Sequence, residues 1–202
     1  MMEAFKRLDA VALPVPRSNV DTDQVVPARY LQKPRTDDFG AYLFSNMRFN
    51  KDGSENPDFV LNQAPYRESR IVVAQRNFGC GSSREHAVWA LYDYGIRAVI
   101  APSFGDIFFS NSLKNGLLPI VLPDTTVASL LQAIQEQPGA RIVVDLESQT
   151  VKAPDGAIHS FEIDAFPKQC LLEGMDELDY TLTLSDRIAD FERRHDASVA
   201  QG

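Results

Sequence analysis

The sequence predicts an α/β fold, on three observations. Ile71-Val72-Val73-Ala74, Ala98-Val99-Ile100-Ala101 and residues 117–122 are short apolar runs suited to buried strands. Between them lie two stretches that read as helices, 83–94, with Ala87, Val88, Leu91 and Tyr92 near helical spacing, and 103–115. Gly95 and Gly116 stop them. A strand–helix–strand–helix–strand order implies parallel pairing with right-handed crossovers.

The flanking elements follow in order. Residues 1–68 are punctuated by Pro14, Pro16, Pro27, Pro34, Pro57 and Pro65, so they hold no long helix. A strand is expected at 9–14 and a short helix at 28–31. The long proline-broken stretch, 28–58 above all, reads as functional loops. After residue 122, Thr125 or Thr126 can cap a helix to Glu136, closed by Pro138-Gly139. Residues 141–146, 149–153 and 157–163 read as antiparallel strands, with Asp155-Gly156 as a hairpin signal. One helical turn is expected at 170–174. A last helix over 186–195, capped by Ser185, precedes a frayed tail, 196–202. Residues 1–202 are read as one domain.

Composition narrows the function. Hydrophobic residues make up 44% of the 202 and charged residues 24%, ordinary globular usage. Lys+Arg number 20 against 28 Asp+Glu, a net charge of −8. That disfavours nucleic acid or an anionic membrane as partner, since both reward a basic face, but leaves an anionic small substrate open. No segment approaches a bilayer-spanning length, and the N-terminus has neither an apolar h-region nor a cleavage site. The cysteines, Cys80 and Cys170, form no disulfide framework. The cytoplasm is the expected compartment. Two cysteines also cannot supply the three or four thiolates of an ordinary iron–sulfur or structural zinc site, so no metal is assigned to this chain.

The richest run is Asn77-Phe78-Gly79-Cys80-Gly81-Ser82-Ser83-Arg84-Glu85-His86, between an expected strand and an expected helix. Gly79 and Gly81 let the backbone turn sharply and approach a ligand. A helix start offers free N–H groups to an anion, and Arg84 adds a planar fork for a carboxylate or phosphate. Locally, Ser82-x-x-Glu85 is a capping box, the commoner use of serine at a helix start. His86 reads as a packed or surface histidine. Cys80 is either a reactive thiol, activated by the helix N-terminus, or a space-filling residue. Asn19-Val20-Asp21-Thr22-Asp23-Gln24 puts two carboxylates on a tight polar segment, locally an Asx-turn.

Taken together, these runs with Ala101-Pro102-Ser103-Phe104 and Asn115-Gly116-Leu117-Leu118-Pro119 resemble the small subunits of 3-isopropylmalate dehydratase, in the aconitase superfamily. The resemblance covers residues 5–195. It implies a three-layer swivelling domain with a compact, mixed, barrel-like sheet. It also implies a hydro-lyase of leucine biosynthesis, working through isopropylmaleate at the interface with a large subunit. That partner carries the [4Fe–4S] cluster, and the substrate is a small dicarboxylate.

By the same resemblance, Ser82 is the general base and Asp23 supports the active-site charges. Arg84 and Ser83 bind a substrate carboxylate, and Arg35 grips the second. Leu31 and Gln32 set substrate choice, an apolar Leu31 suiting an isopropyl group. Gly79, Cys80, Gly81, Glu85 and His86 are structural members of the motif. Two alternatives stand beside this reading: a homoaconitase-like or methylmalate-type subunit, which Lys33 keeps open, and a non-catalytic swivel-fold binding module.

Overall fold

The computed structural model describes residues 2–35, 38–82 and 84–199. Its strands are β1 (Arg7–Val15), β2 (Ile71–Ala74), β3 (Ala98–Ala101), β4 (Leu118–Val121), β5 (Arg141–Asp145), β6 (Thr150–Lys152) and β7 (Ile158–Ser160). They form one mixed sheet in the order β4-β3-β2-β1-β5-β6-β7, open at β4 and β7. The three expected parallel strands pair as predicted, Val72 opposite Val99 and Val99 opposite Pro119.

β1 is where the sheet changes sense. Its residues 12–15 run parallel to β2, and residues 7–11 run antiparallel to β5. No local signal in the proline-rich N-terminal stretch pointed to that double pairing. β5, β6 and β7 are antiparallel as expected, joined at the last turn through Gly156 in a left-handed conformation.

Both faces of the sheet are covered, so β2 and β3 are buried at every position. On one face Leu13, Val72, Ala74, Val99 and Ala101 join a core with Ala87, Val88 and Leu91 of helix α3 (Glu85–Tyr94). On the other, Ala12, Ile71, Val73, Ala98 and Ile100 join Val127, Leu130, Leu131 and Ile134 of α5 (Asp124–Glu136). The i, i+3, i+4, i+7 spacing of those four α5 residues makes its apolar stripe. The result is the expected three layers.

Among its described residues the proline-broken stretch holds two one-turn helices, α1 (Thr22–Val25) and α2 (Ser45–Arg48), and four 3-10 turns, two of which are Ala28–Tyr30 and Phe39–Tyr42. Arg48 organises it from within. It is buried, donates to Asn62 Oδ1 and to the carbonyls of Gly40 and Leu43, and lies over the Phe49 and Tyr94 rings. Phe39, Leu43, Phe44 and Leu61 are fully buried around it. Loops rich in proline thus still contribute apolar mass to the core.

Several boundaries move. α4 is Asp106–Lys114, because residues 103–105 are used in bonds to the loop after β2. α5 begins at Asp124 behind Pro123, so neither Thr125 nor Thr126 is its cap. α6 (Ala165–Glu173) is longer than the turn expected at 170–174. α7 (Glu177–Thr183) was not expected; Asp176 and Asp179 close it with a reciprocal capping box. α8 (Ser185–Val199) contains Ser185 rather than being capped by it, the hydroxyl donating back to the Leu182 carbonyl. Residues 196–199, expected to fray, continue that helix, and 200–202 lie outside the described residues.

Candidate active site

Three loops leave the carboxyl ends of β1, β2 and β3 and are laced together, the usual place for a ligand in an open parallel sheet. The loop after β2 runs between the other two. On one side Asn19 N–H donates to the Arg76 carbonyl (2.9 Å), Gly79 N–H to Val20 (2.7 Å) and Thr22 N–H to Cys80 (2.9 Å). On the other, Phe78 N–H donates to the Ser103 carbonyl (3.1 Å) and Gly105 N–H to Phe78 (2.9 Å). Asn19 and Asn77 both take positive φ, 57° and 62°, and their side-chain amides bond to each other at 2.7 Å. Left-handed asparagines are tolerated where a side-chain bond offsets the strain.

Gly79 and Gly81 differ in what they permit. Gly79 has φ 71°, and a Cβ there would fall 2.2 Å from the Phe108 ring. Gly81 has φ 89°, but its Cβ would meet nothing nearer than 3.4 Å. Gly79→Ala is therefore expected to destabilise the fold by about 3 kcal/mol through overpacking added to left-handed strain. Gly81→Ala is expected to cost only about 1–2 kcal/mol, the strain alone. Urea unfolding of the two variants checks the contrast; equal losses would remove the steric role of Phe108.

α3 begins beyond these bonds. The Thr22 hydroxyl donates to the Ser82 carbonyl (2.9 Å), which ties the end of the loop to the segment after β1. α3 starts at Glu85, with Arg84 extended at its N-cap and no side-chain cap bond. The start expected at residue 83 and the Ser82-x-x-Glu85 capping box do not form. Glu85 instead accepts from Asn115 Nδ2 at 2.7 Å. Thr22, 2% exposed, is a site-building residue that local reasoning passed over, although it stood inside the Asp21-Thr22-Asp23 run.

Asp23 is the junction of the site. Its Oδ1 accepts from Arg84 Nη1 (2.6 Å) and from the Ala28 N–H (2.8 Å). One carboxylate so joins the Ser82–Arg84 loop to the turn that leads into Leu31 and Gln32. The Arg84 hydrogen bond is the main reason that the Asp23 carboxyl sits below its ordinary range; partial burial opposes this, and the Ala28 N–H and the more distant Arg29 charge assist. Only one Arg84 nitrogen is used here, so the rest of its fork has no partner among the described residues. Ser82 is exposed beside it. A cleft of about 660 Å³ opens along the Ala28–Tyr30 turn, lined by Arg29, Tyr30, Asn46, Asn50 and Lys51. Arg29 and Lys51 give that cleft a locally cationic lining on a strongly acidic chain.

The other expected residues fall into place unevenly. Leu31 is half-buried and Gln32 exposed, just past that turn. His86 packs at 4.5 Å from Trp89 and 5.5 Å from Phe39, ring centre to ring centre, with the Leu31 backbone beside it. Burial holds it below the ordinary histidine range, so it is a neutral packed ring at neutral pH. The Cys80 thiol is pushed up, by burial first and by Asp21 second. With α3 starting five residues later, the helix N-terminus does not activate it, and the reactive-thiol alternative is not supported. Arg35 is not brought to Arg84. It forms a two-point ion pair with Asp93 (2.7 and 2.9 Å) near the far end of α3. Ser83 lies outside the described residues.

Among the described residues no group of three His, Cys, Asp or Glu could hold a metal, and no helix is long and apolar enough to cross a membrane. Cys80 is on the site loop and Cys170 is buried in α6, so the chain's two thiols do not suit an iron–sulfur cluster.

This sheet and loop cluster define a domain of the aconitase type. The family model for the aconitase C-terminal domain matches residues 2–125, and a second model, LeuD_N, matches residues 128–165. The 3-isopropylmalate dehydratase small subunit of Rhodospirillum rubrum is 52% identical over 192 residues, 95% of this chain and 93% of that protein. That of Dinoroseobacter shibae is 49% identical over 197 residues, 98% of each. A crystal structure of 3-isopropylmalate dehydratase from Methanocaldococcus jannaschii aligns with a TM-score of 0.63 at 25% identity, over 93% of this chain and 99% of that one. The chain belongs to the 3-isopropylmalate dehydratase small-subunit family, the hydro-lyase subunits that the motifs resemble.

Proposed function

We propose that this chain joins a cytoplasmic large subunit to form a 3-isopropylmalate dehydratase, which interconverts 2- and 3-isopropylmalate through isopropylmaleate in leucine biosynthesis. The observation that carries the reading is Asp23 bonded at once to Arg84 and to the turn before Leu31, beside an exposed Ser82. The [4Fe–4S] cluster of the family resides on the large subunit, in keeping with the two scattered cysteines here.

The chemistry of these residues follows from their placement. A substrate carboxylate takes the unused edge of the Arg84 fork, with Asp23 fixing the plane of the guanidinium. Ser83 assists the same carboxylate. The Ser82 oxygen then removes the proton from the carbon next to that carboxylate while the hydroxyl on the adjacent carbon departs as water, and the rehydration returns the proton and adds water across the double bond. A serine alkoxide is costly at neutral pH, and a guanidinium two residues away is the charge that lowers that cost. Leu31 and Gln32 face the distal group; an apolar side chain and a neutral amide suit isopropyl better than a third carboxylate.

Reconstitution tests this. The chain is mixed with a cluster-loaded cognate large subunit, and isopropylmaleate absorbance is followed on adding 3-isopropylmalate, with homoaconitate in parallel. The expected result is turnover that needs both chains and prefers isopropylmalate. Turnover of homoaconitate alone would keep the mechanism and change the substrate. A formed complex with an intact cluster and no turnover would leave a binding module.

A further inference from the structure

Leu31, Gln32 and Arg35 belong to a loop that does not float above the site. Its described residues lie along one face of α3. His86, Trp89 and Asp93 stand at i, i+3 and i+7, so they share that face. Each touches the loop. His86 meets the Phe39 ring at 5.5 Å and lies beside the Leu31 backbone. Trp89 carries the Arg35 guanidinium over its ring at 5.1 Å and meets the Phe39 edge at 5.5 Å. Asp93, with a side chain only 17% exposed, accepts both nitrogens of Arg35 and also the Phe39 N–H at 3.2 Å. The loop backbone is pressed home at Gly40, where a Cβ would lie 2.6 Å from the Tyr94 nitrogen.

The opposite end of the same helix is capped by Arg84. The ten residues of α3 span about 15 Å, so Asp93 and Arg84 mark the two ends of one rigid rod. One end holds the carboxylate-binding arginine and the other holds Arg35 and the Phe39 N–H, the anchors of the loop that carries Leu31 and Gln32. Their separation is set by helix geometry rather than by loop flexibility.

We infer that Asp93 is a positioning residue for substrate recognition: by clamping Arg35 and the Phe39 N–H on the α3 face, it fixes Leu31 and Gln32 at a set distance from Arg84. Arg35 is then the loop's anchor, not a second grip on substrate. Its guanidinium already has a carboxylate of ideal two-point geometry, and Trp89 beneath it limits its motion. This assignment rests on the proposed function for its kinetic consequence, while the clamp itself does not.

Two readouts test it. In the reconstituted enzyme, Asp93→Asn is expected to raise KM for 3-isopropylmalate about tenfold while kcat changes less than threefold, because the loop is loosened and the chemistry untouched. Arg35→Gln should do the same, and the double variant should be no worse than either single, as for two halves of one clamp. Asp93→Glu should recover part of the loss. In the full-length chain alone, Asp93→Asn should speed hydrogen exchange in the peptide containing Phe39 at least tenfold. Unchanged exchange would remove the clamp. Fast exchange with KM unchanged or lowered, or Arg35→Gln far more damaging than Asp93→Asn, would return Arg35 to the substrate and overturn the assignment. If the wild-type pair shows no turnover at all, the proposed function fails by itself, and the exchange result still decides whether the clamp exists.

Discussion

Ser82→Ala in the reconstituted two-chain enzyme is expected to lower kcat a thousandfold or more, with KM and complex formation nearly unchanged. General-base catalysis contributes about 10²–10⁴ in rate. A thousandfold is about 4 kcal/mol of barrier. Structure argues that the loss would be chemical. Ser82 holds the loop through its backbone carbonyl, which accepts from Thr22, and an alanine keeps that carbonyl. The side chain is exposed, so its removal leaves no cavity. Steady-state kinetics with a binding assay on the same sample would decide. Turnover within tenfold of wild type would move the base elsewhere.

Arg84→Lys is the second large effect, expected to reduce kcat/KM by about 10²–10³. An ammonium is a point charge and cannot present one edge to Asp23 and another to a substrate carboxylate. Losing a two-point charged contact of about 1.5–3 kcal/mol per bond accounts for a reduction of that order. The pair also predicts a pH signature. Arg84 holds the Asp23 carboxyl below its ordinary range in the folded chain. The stability that this contributes is present above the unfolded carboxylate pKa of about 3.9 and is lost as pH falls through the lower folded value. Asp23 is half exposed, so the effect is modest. Acid titration of unfolding should be flatter for Asp23→Asn than for wild type below about pH 4, and the two should run parallel near neutrality. A neutral-pH slope in the difference would assign the linkage to another group.

Much of this was readable from local sequence because local physics decided it. Four-residue apolar runs covered on both faces have nowhere to go but a buried sheet, so β2, β3 and β4 stand at or within a residue of the predicted runs. Glycine at 95 closes α3 in the left-handed conformation that the stop signal implied. The Gly79–Arg84 loop lies at the strand-to-helix passage, with Ser82 and Arg84 at its end. Where reading failed, a tertiary bond outweighed a local preference. The capping box at Ser82 was a good local solution, yet Thr22, sixty residues earlier, takes the Ser82 carbonyl and the helix starts at Glu85. The N-terminal activation proposed for Cys80 depended on that same start. The Arg35 ion pair had no local signal, since its partner Asp93 carries no motif and is 58 residues away in sequence.

The sequence alone settled the elements whose energy lies within a few residues: the parallel strands, the glycine turns, the family motif, and a cysteine count too small for a cluster. Tertiary structure alone settled which distant residues share a carboxylate. Asp23 serves Arg84 and Ala28 together, Asp93 serves Arg35 and Phe39 together, and β1 pairs with two strands of opposite sense. The reason is chain entropy. Such contacts close loops of tens of residues, and the burial of two hydrophobic cores offsets that entropic cost.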